Sequence, residues 1–494
     1  MGKKKLSRRQ VLKVSGAAGA VVGSAGLGLF GYEAGKDPES YTGCEVQEGA
    51  CQTFNRARYE VDRPHYEKVG PTSRPDARTE VVFMRRGAFS QQWHDETGID
   101  GLSEHLQAFY REHPEALELD RYRQDHILPK RRIDAPKYRD DYILAEAWSR
   151  AMGAVSPPGI DGPPEKSDFP GGQAEPLKMK GPRRTSKLIK QMAHQFGSVL
   201  VGIARLNPDW VYRYPMRGRG FAADEPVEVP KHWQFAVVVG TPMSWDAVAA
   251  NPTFGTSNDA YSKSRIVAYR LAAFIKALGY AARPHTPGAS YDLMVPPIMV
   301  DAGLAEQGRH SIAITPELGC NFRPAVVTTN LPLQPDKPID FGVQDFCRSC
   351  KICAKNCPAG AITTGEKEEV RGYLRYPVCS EKCHNFWDSC LGNMGCRLCV
   401  AVCPYSRKSN WLHTTALDVT ANDPTGLSHK ALAGLQERLY PGPDPEKYFI
   451  PSLGGENATY REPPWWLRSE DFIVPPAAKD TVPSAAKDTD KDAG

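Results

Sequence analysis

Ten of the chain's 13 cysteines fall between Cys347 and Cys403, and their spacing is where the sequence speaks most directly of chemistry. Cys347-Arg-Ser-Cys350-Lys-Ile-Cys353-Ala-Lys-Asn-Cys357-Pro358 follows the pattern C-x2-C-x2-C-x3-C-P. In such a run three closely spaced thiolates take three corners of a 4Fe–4S cubane, and the fourth reaches across to another cluster. That fourth thiolate predicts a second motif, and Cys396-Arg-Leu-Cys399-Val-Ala-Val-Cys403-Pro404 supplies it. Zinc ribbons pair C-x2-C sites without the x3-C-P tail, so the pattern reads as two 4Fe–4S clusters. Cys347, Cys350, Cys353 and Cys403 would hold the first; Cys396, Cys399 and Cys357 would hold three corners of the second. The remaining corner is contested by Cys379, Cys383 and Cys390. Cys390 is nearest in sequence, whereas twelve residues separate Cys383 from Cys396; spacing alone leaves the choice open.

The rest of the chain must position these thiols. At 494 residues it is long enough for two or three domains with real cores. Its 62 basic and 58 acidic residues nearly balance, at a net charge of +4, which argues against a phosphate-backbone partner; no nucleic-acid binding is expected. Residues 1–36 read as an export signal: Ser7-Arg8-Arg9-Gln10-Val11-Leu12-Lys13 resembles a twin-arginine motif, followed by a weakly apolar, Gly- and Ala-rich run from Val14 to Phe30. Residues 37–182 are rich in charge, proline and aromatics without a legible motif, and 151–182 look like a linker. Cys44 and Cys51 could pair in an exported protein.

Order is expected again from residue 183. Leu188, Met192 and Phe196 recur at helical spacing, Val199–Leu206 and Phe235–Val239 read as strands, and Ser264–Leu278 as an amphipathic helix stopped by Gly279. Asp301–Arg309 reads as a loop leading into the short apolar run Ile312–Ile314. Strands alternating with helices indicate an α/β (α+β) core over 183–335, and no dinucleotide or Walker loop occurs in it. The cysteine segment occupies 336–410, an extension follows over 411–470, and the repeated Ala-Ala-Lys-Asp-Thr of 471–494 reads as a disordered tail.

Export signal, α/β core and C-terminal double-cluster segment together resemble the corrinoid-dependent reductive dehalogenases. The resemblance runs through Gly197–Leu206, Ala260-Tyr261-Ser262-Lys263, Asp301-Ala-Gly-Leu304, Gly308-Arg309, Ile314-Thr-Pro-Glu317 and Pro335–Gly342, in that order. It implies a nitroreductase-like core holding a corrinoid of the cobalamin type, with a ferredoxin-like domain beside it. The family's Cys-x-x-aromatic-Trp element falls on Cys383-His-Asn-Phe-Trp387, which favours Cys383 as the missing ligand with Cys390 as the alternative. Its catalytic tyrosine falls on Tyr261 and the partnering arginine on Arg323; Trp387 matches a wall of the halocarbon pocket. Gly308, Arg309 and His310 are candidate corrinoid contacts. No D-x-H-x-x-G occurs, so a base-off corrinoid is implied. An asparagine of some family members is replaced by His285-Thr286-Pro287.

The implied reaction is reductive dehalogenation of a small organohalide, with electrons from the clusters and the proton from Tyr261. A phenol is a poor acid at neutral pH, and a nearby guanidinium makes its anion easier to form. The implied partners are a small integral membrane anchor protein and a membrane electron donor, at the outer face of the cytoplasmic membrane. Two rival readings are an enzyme like the epoxyqueuosine reductases of tRNA modification, and an exported two-cluster electron carrier without catalysis.

Overall fold

The structure, a computed structural model, describes residues 56–129, 176–217, 225–250, 254–287, 290–391, 395–407, 411–423 and 425–439. The signal-like segment, Cys44 and Cys51, linker residues 151–175 and the tail lie outside them.

Where the N-terminal region showed no pattern, it forms helices α1 (Val82–Gln92), α2 (Glu104–Glu112) and α3 (Pro114–Tyr122). Phe89, Leu102, Leu106, Tyr110 and Ala116 make their small apolar core. The charge-rich composition hid this unit because charges are part of its interior. Arg85 and Arg86 are each 1% exposed, and both bond Asp120, at 2.9 and 2.5 Å. Burying such groups is tolerable only when they are paired.

The central sheet begins after helix α4 (Pro182–Gln195) and has strands β1 (Leu200–Arg205), β2 (Phe235–Pro242), β3 (Ala282–His285) and β4 (Phe322–Thr329). Its order is β1-β2-β4-β3 with every pair antiparallel, which puts it on the α+β side of the expected class. Successive strand residues face opposite sides, yet Val237, Val238 and Val239 are all fully buried, so both faces must be covered. Val237, Val239, Ala325 and Val327 pack with α4 and the long helix α5 (Phe254–Ala277). Ala236, Val238 and Val326 pack with α6 (Val295–Asp301) on the other face.

Three elements differ from the sequence reading. Helix α5 begins at Phe254 rather than near Ser264, which places Tyr261 inside it. On α4 the buried residues include Ile189 and Ala193, while Leu188 is 37% exposed; the core stripe is shifted by one position. Part of the expected loop Asp301–Arg309 is instead a strand, Glu306–Gln307, paired with Ala313–Ile314.

The cysteine segment is helical. Helix α7 (Val343–Cys350) ends at Lys351, whose φ of 54° is left-handed, and α8 (Ile352–Lys355) restarts the chain in a new direction. Helices α9 (Ser380–Leu391), α10 (Leu398–Ala401), α11 (Trp411–Ala421) and α12 (Leu427–Leu439) complete the unit. No helix among the described residues is long and apolar enough to cross a membrane.

Candidate functional site

The turn at Lys351 directs the first motif. Cys347 and Cys350 sit on α7 and Cys353 on α8, while Cys357 follows α8. Electrostatic neighbourhoods sort the thiols into two groups. Cys353 feels Cys347, Cys403, Cys399 and Cys350, whereas Cys399 feels Cys396, Cys383 and Cys357. The structure thus gathers Cys347, Cys350, Cys353 and Cys403 on one side and Cys357, Cys383, Cys396 and Cys399 on the other. Cys379 lies by Glu381, its Sγ 3.5 Å from the carboxylate, and Cys390 is on α9 outside the residues whose side chains are described.

Burial pushes Cys347 and Cys396 up to about 12 and Cys383 to about 11, and Cys350, Cys353 and Cys399 well above the usual thiol value. A buried thiol set of this kind favours its neutral form until a cation shares its charge, and metal binding then releases the protons. One buried and one half-buried tetrad of uncrosslinked thiols meet the four-thiolate demand of a cubane.

A second constellation forms where the sheet meets the cysteine segment. Arg323 shares the parity of Ala325 and Val327 on β4 and so points to the face covered by α5. There its guanidinium carbon lies 5.2 Å from the centroid of the Tyr261 ring. Tyr261 is half-buried, and α5 is anchored beside it by Thr241 Oγ1 donating to Ala260 O at 2.8 Å. Ser257, four residues earlier on the same helix face, accepts from Arg323 Nη2 at 2.8 Å and from Arg397 Nε at 2.9 Å. Arg397 is buried and lies 4.9 Å over the Trp387 ring; burial and then Arg323 lower its pKa. Arg323 Nε is buried without a hydrogen-bond partner among the described residues, while Trp387 acts as a donor towards Cys383. An orphaned guanidinium donor fits a site that holds a polar or charged group.

A 4Fe–4S dicluster domain model matches residues 346–407. A tetrachloroethene reductive dehalogenase of Desulfitobacterium hafniense is 31% identical over 404 residues, 71% of each chain. The chain belongs to the reductive dehalogenase family. The tetrachloroethene reductive dehalogenase of Sulfurospirillum multivorans is 32% identical over 269 residues, 47% of this chain and 52% of that protein. A solved catabolic reductive dehalogenase shares the fold, with a TM-score of 0.58 and 23% identity over 80% of this chain and 51% of its own. The chain therefore spans about half the length of these last two proteins. Over 111 residues, 22% of this chain and 28% of the relative, it is also 33% identical to an epoxyqueuosine reductase of Listeria monocytogenes.

The expected corrinoid contacts Gly308, Arg309 and His310 are all buried. Arg309 is 1% exposed and donates to Cys347 O at 3.1 Å, Thr363 O at 3.0 Å and Gly365 O at 2.7 Å. It braces the first cysteine loop. His310 Nε2 lies 3.6 Å from Cys320 Sγ, and Gly308 packs against Ile314 and His310. His285, at the departing asparagine position, is fully buried and meets Thr328 Oγ1 at 2.9 Å; it is bound into the sheet. Ser257 and Arg397 were not among the residues singled out from sequence. The available signals were a serine four residues before Tyr261 and an arginine between Cys396 and Cys399.

Proposed function

We propose that this chain removes halogen from a small organohalide, R–X + 2e⁻ + H⁺ giving R–H + X⁻, with Tyr261 as proton donor. The observation that carries this reading is the joined set Tyr261–Arg323–Ser257–Arg397, which runs from the sheet to the second thiol tetrad. Two 4Fe–4S clusters on Cys347, Cys350, Cys353, Cys403 and on Cys383, Cys396, Cys399, Cys357 would supply electrons singly, and a base-off corrinoid the electron pair that breaks the carbon–halogen bond.

The chain's own residues do the rest. Two buried guanidiniums make the site positive, which attracts the expelled halide. Trp387, held under Arg397, supplies an apolar wall against the substrate. Arg323 Nε is a buried donor available to a bound group. The tetrachloroethene named for the relatives and the 3-bromo-4-hydroxybenzoic acid bound to the solved dehalogenase support a small halocarbon as the substrate class. The epoxyqueuosine-reductase-like reading rests on 33% identity over 111 aligned residues and fits poorly with the balanced charge. An electron carrier without catalysis would not require the Tyr261–Arg323 pair.

In this reading Arg8 and Arg9 direct export, and a small membrane anchor protein and a membrane electron donor hold and reduce the enzyme at the outer face of the cytoplasmic membrane. The test of function is anaerobic halide release from a panel of chlorinated and brominated compounds, with reduced methyl viologen and added corrinoid. Wild-type protein should release halide. Tyr261→Phe should keep iron and corrinoid yet lose about 10²–10⁴-fold in rate, the usual weight of a general acid. Wild-type turnover by Tyr261→Phe, or no corrinoid uptake, overturns the mechanism.

A further inference from the structure

Cys320 takes part in none of the steps above, yet it is fully buried beside a cluster ligand. Its Sγ, Cys403 Sγ and a ring nitrogen of His310 all lie within 4.8 Å of one another. The backbone N–H of Ile312 donates to His310 Nδ1 at 3.2 Å, so the proton of the neutral ring sits on Nε2. That Nε2–H meets Cys320 Sγ at 3.6 Å. Ser406 Oγ accepts from Cys320 N at 3.2 Å and lies 2.8 Å from Cys320 Sγ. The serine oxygen keeps a second acceptor site, so its bond to Cys320 Sγ can run either way; with Ser406 donating, the Cys320 S–H is left for Cys403.

The backbone is shaped for this approach. Gly319 has a φ of +56°, and a Cβ there would stand 2.2 Å from Tyr405 O. Only a glycine lets the Thr315–Cys320 turn lie flat on residues 405–406.

We infer that Cys320, backed by the His310 Nε2–H, donates to Cys403 Sγ and raises the reduction potential of the cluster held by Cys347, Cys350, Cys353 and Cys403. The inference rests on the cluster assignment proposed above. Reduction adds negative charge to the cluster, and donors to a ligand sulfur stabilise that charge, so outer hydrogen bonds move the potential upward.

The test is a redox titration of the reconstituted full-length protein, followed by electron paramagnetic resonance of the reduced clusters, with iron measured on the same samples. Cys320→Ala and His310→Phe should each lower the midpoint of one cluster and leave the other in place, at wild-type iron content. Cys320→Ser, which keeps an O–H donor, should stay near the wild-type potential. Unchanged midpoints in both variants, equal shifts in both clusters, or equal shifts in Cys320→Ala and Cys320→Ser overturn the inference. Loss of iron from Cys320→Ala also overturns it, by making Cys320 a ligand. Wild-type protein that fills a single cluster sinks the cluster assignment instead.

Discussion

One hydroxyl, Ser257 Oγ, accepts from two buried guanidiniums, those of Arg323 and Arg397. The two cations repel, so the shared acceptor helps hold both in place beside Tyr261. Ser257→Ala removes that acceptor without touching the phenol. Hydrogen bonds to charged groups contribute about 1.5–3 kcal/mol each, so kcat should fall roughly 10- to 100-fold. KM and iron content should change little, and a fall confined to KM would place Ser257 in substrate binding instead. At this scale the sequence was legible where a block carried the residue: Tyr261 and Arg323 stand in recognisable segments and meet in the structure. Ser257 and Arg397 were not, because an isolated serine and an arginine inside a cysteine motif each look like ordinary surface residues. Only the packing of α5 against the Cys396–Cys399 loop gives them a common site.

Helix α1 and the end of α3 hold α9, and with it Cys383 and Trp387, through buried charges and the Phe83 ring, which meets His384 and Trp387 at 4.7 and 5.3 Å between centroids. Arg85 reaches Glu381 at 2.7 Å, Arg86 reaches His384 at 3.0 Å, and Arg123 reaches Asp388 at 2.5 Å. Asp120 balances Arg85 and Arg86 and also accepts from Tyr110 at 2.9 Å. Asp120→Ala would leave Arg86 without its carboxylate and Arg85 with Glu381 alone, and breaking a buried pair costs about 3–5 kcal/mol; thermal or denaturant melts should show that loss, and a change under 1 kcal/mol would mean the network is water-relieved. A second element-level prediction concerns His65, which accepts the Gln307 N–H at 3.1 Å and so pins the N-terminal segment to the Glu306–Gln307 strand. Burial, then Lys367, pushes His65 down to about 3 from an ordinary value near 6.5. The unfolded chain therefore takes up a proton first: this contribution to stability is whole above pH 6.5 and drains as pH falls towards 3. His65→Gln keeps an acceptor and does not titrate, so it should lose less stability than wild type between about pH 7 and 4.5; parallel losses would rule the histidine out. Element positions were legible where apolar periodicity was clean, as in β1, β2 and α5. Strand β4 escaped because Pro324 interrupts its run. The fold tolerates that proline because β3 pairs only as far as Val326, so one side of Pro324 has no strand to serve.

Across the whole molecule, the order of core and cluster segment was readable from sequence, since motif order survives without any knowledge of contacts. The joints between them were not, because they are made by Gly319, Arg309 and Arg397 at single points. The open question at this scale was which cysteine completes the second cluster. Cys390 had the advantage of proximity in sequence, and its side chain lies outside those described; α9 carries Cys383 about two turns earlier, where Cys396 and Cys399 feel its charge. The reason is geometric: with α9 fixed by Arg85, Arg86 and Arg123, its face bearing Cys383 and Trp387 is presented to the Cys396–Cys399 loop. Reconstituted wild-type protein should therefore hold about eight irons and eight acid-labile sulfides per chain. Cys383→Ala should fall to about half of that, with one of two reduced-cluster resonances lost, while Cys390→Ala keeps both. Because Asp120 supports the same helix, Asp120→Ala should lose iron from that same cluster first on mild heating, and simultaneous loss from both would show that α9 is not the element that holds it.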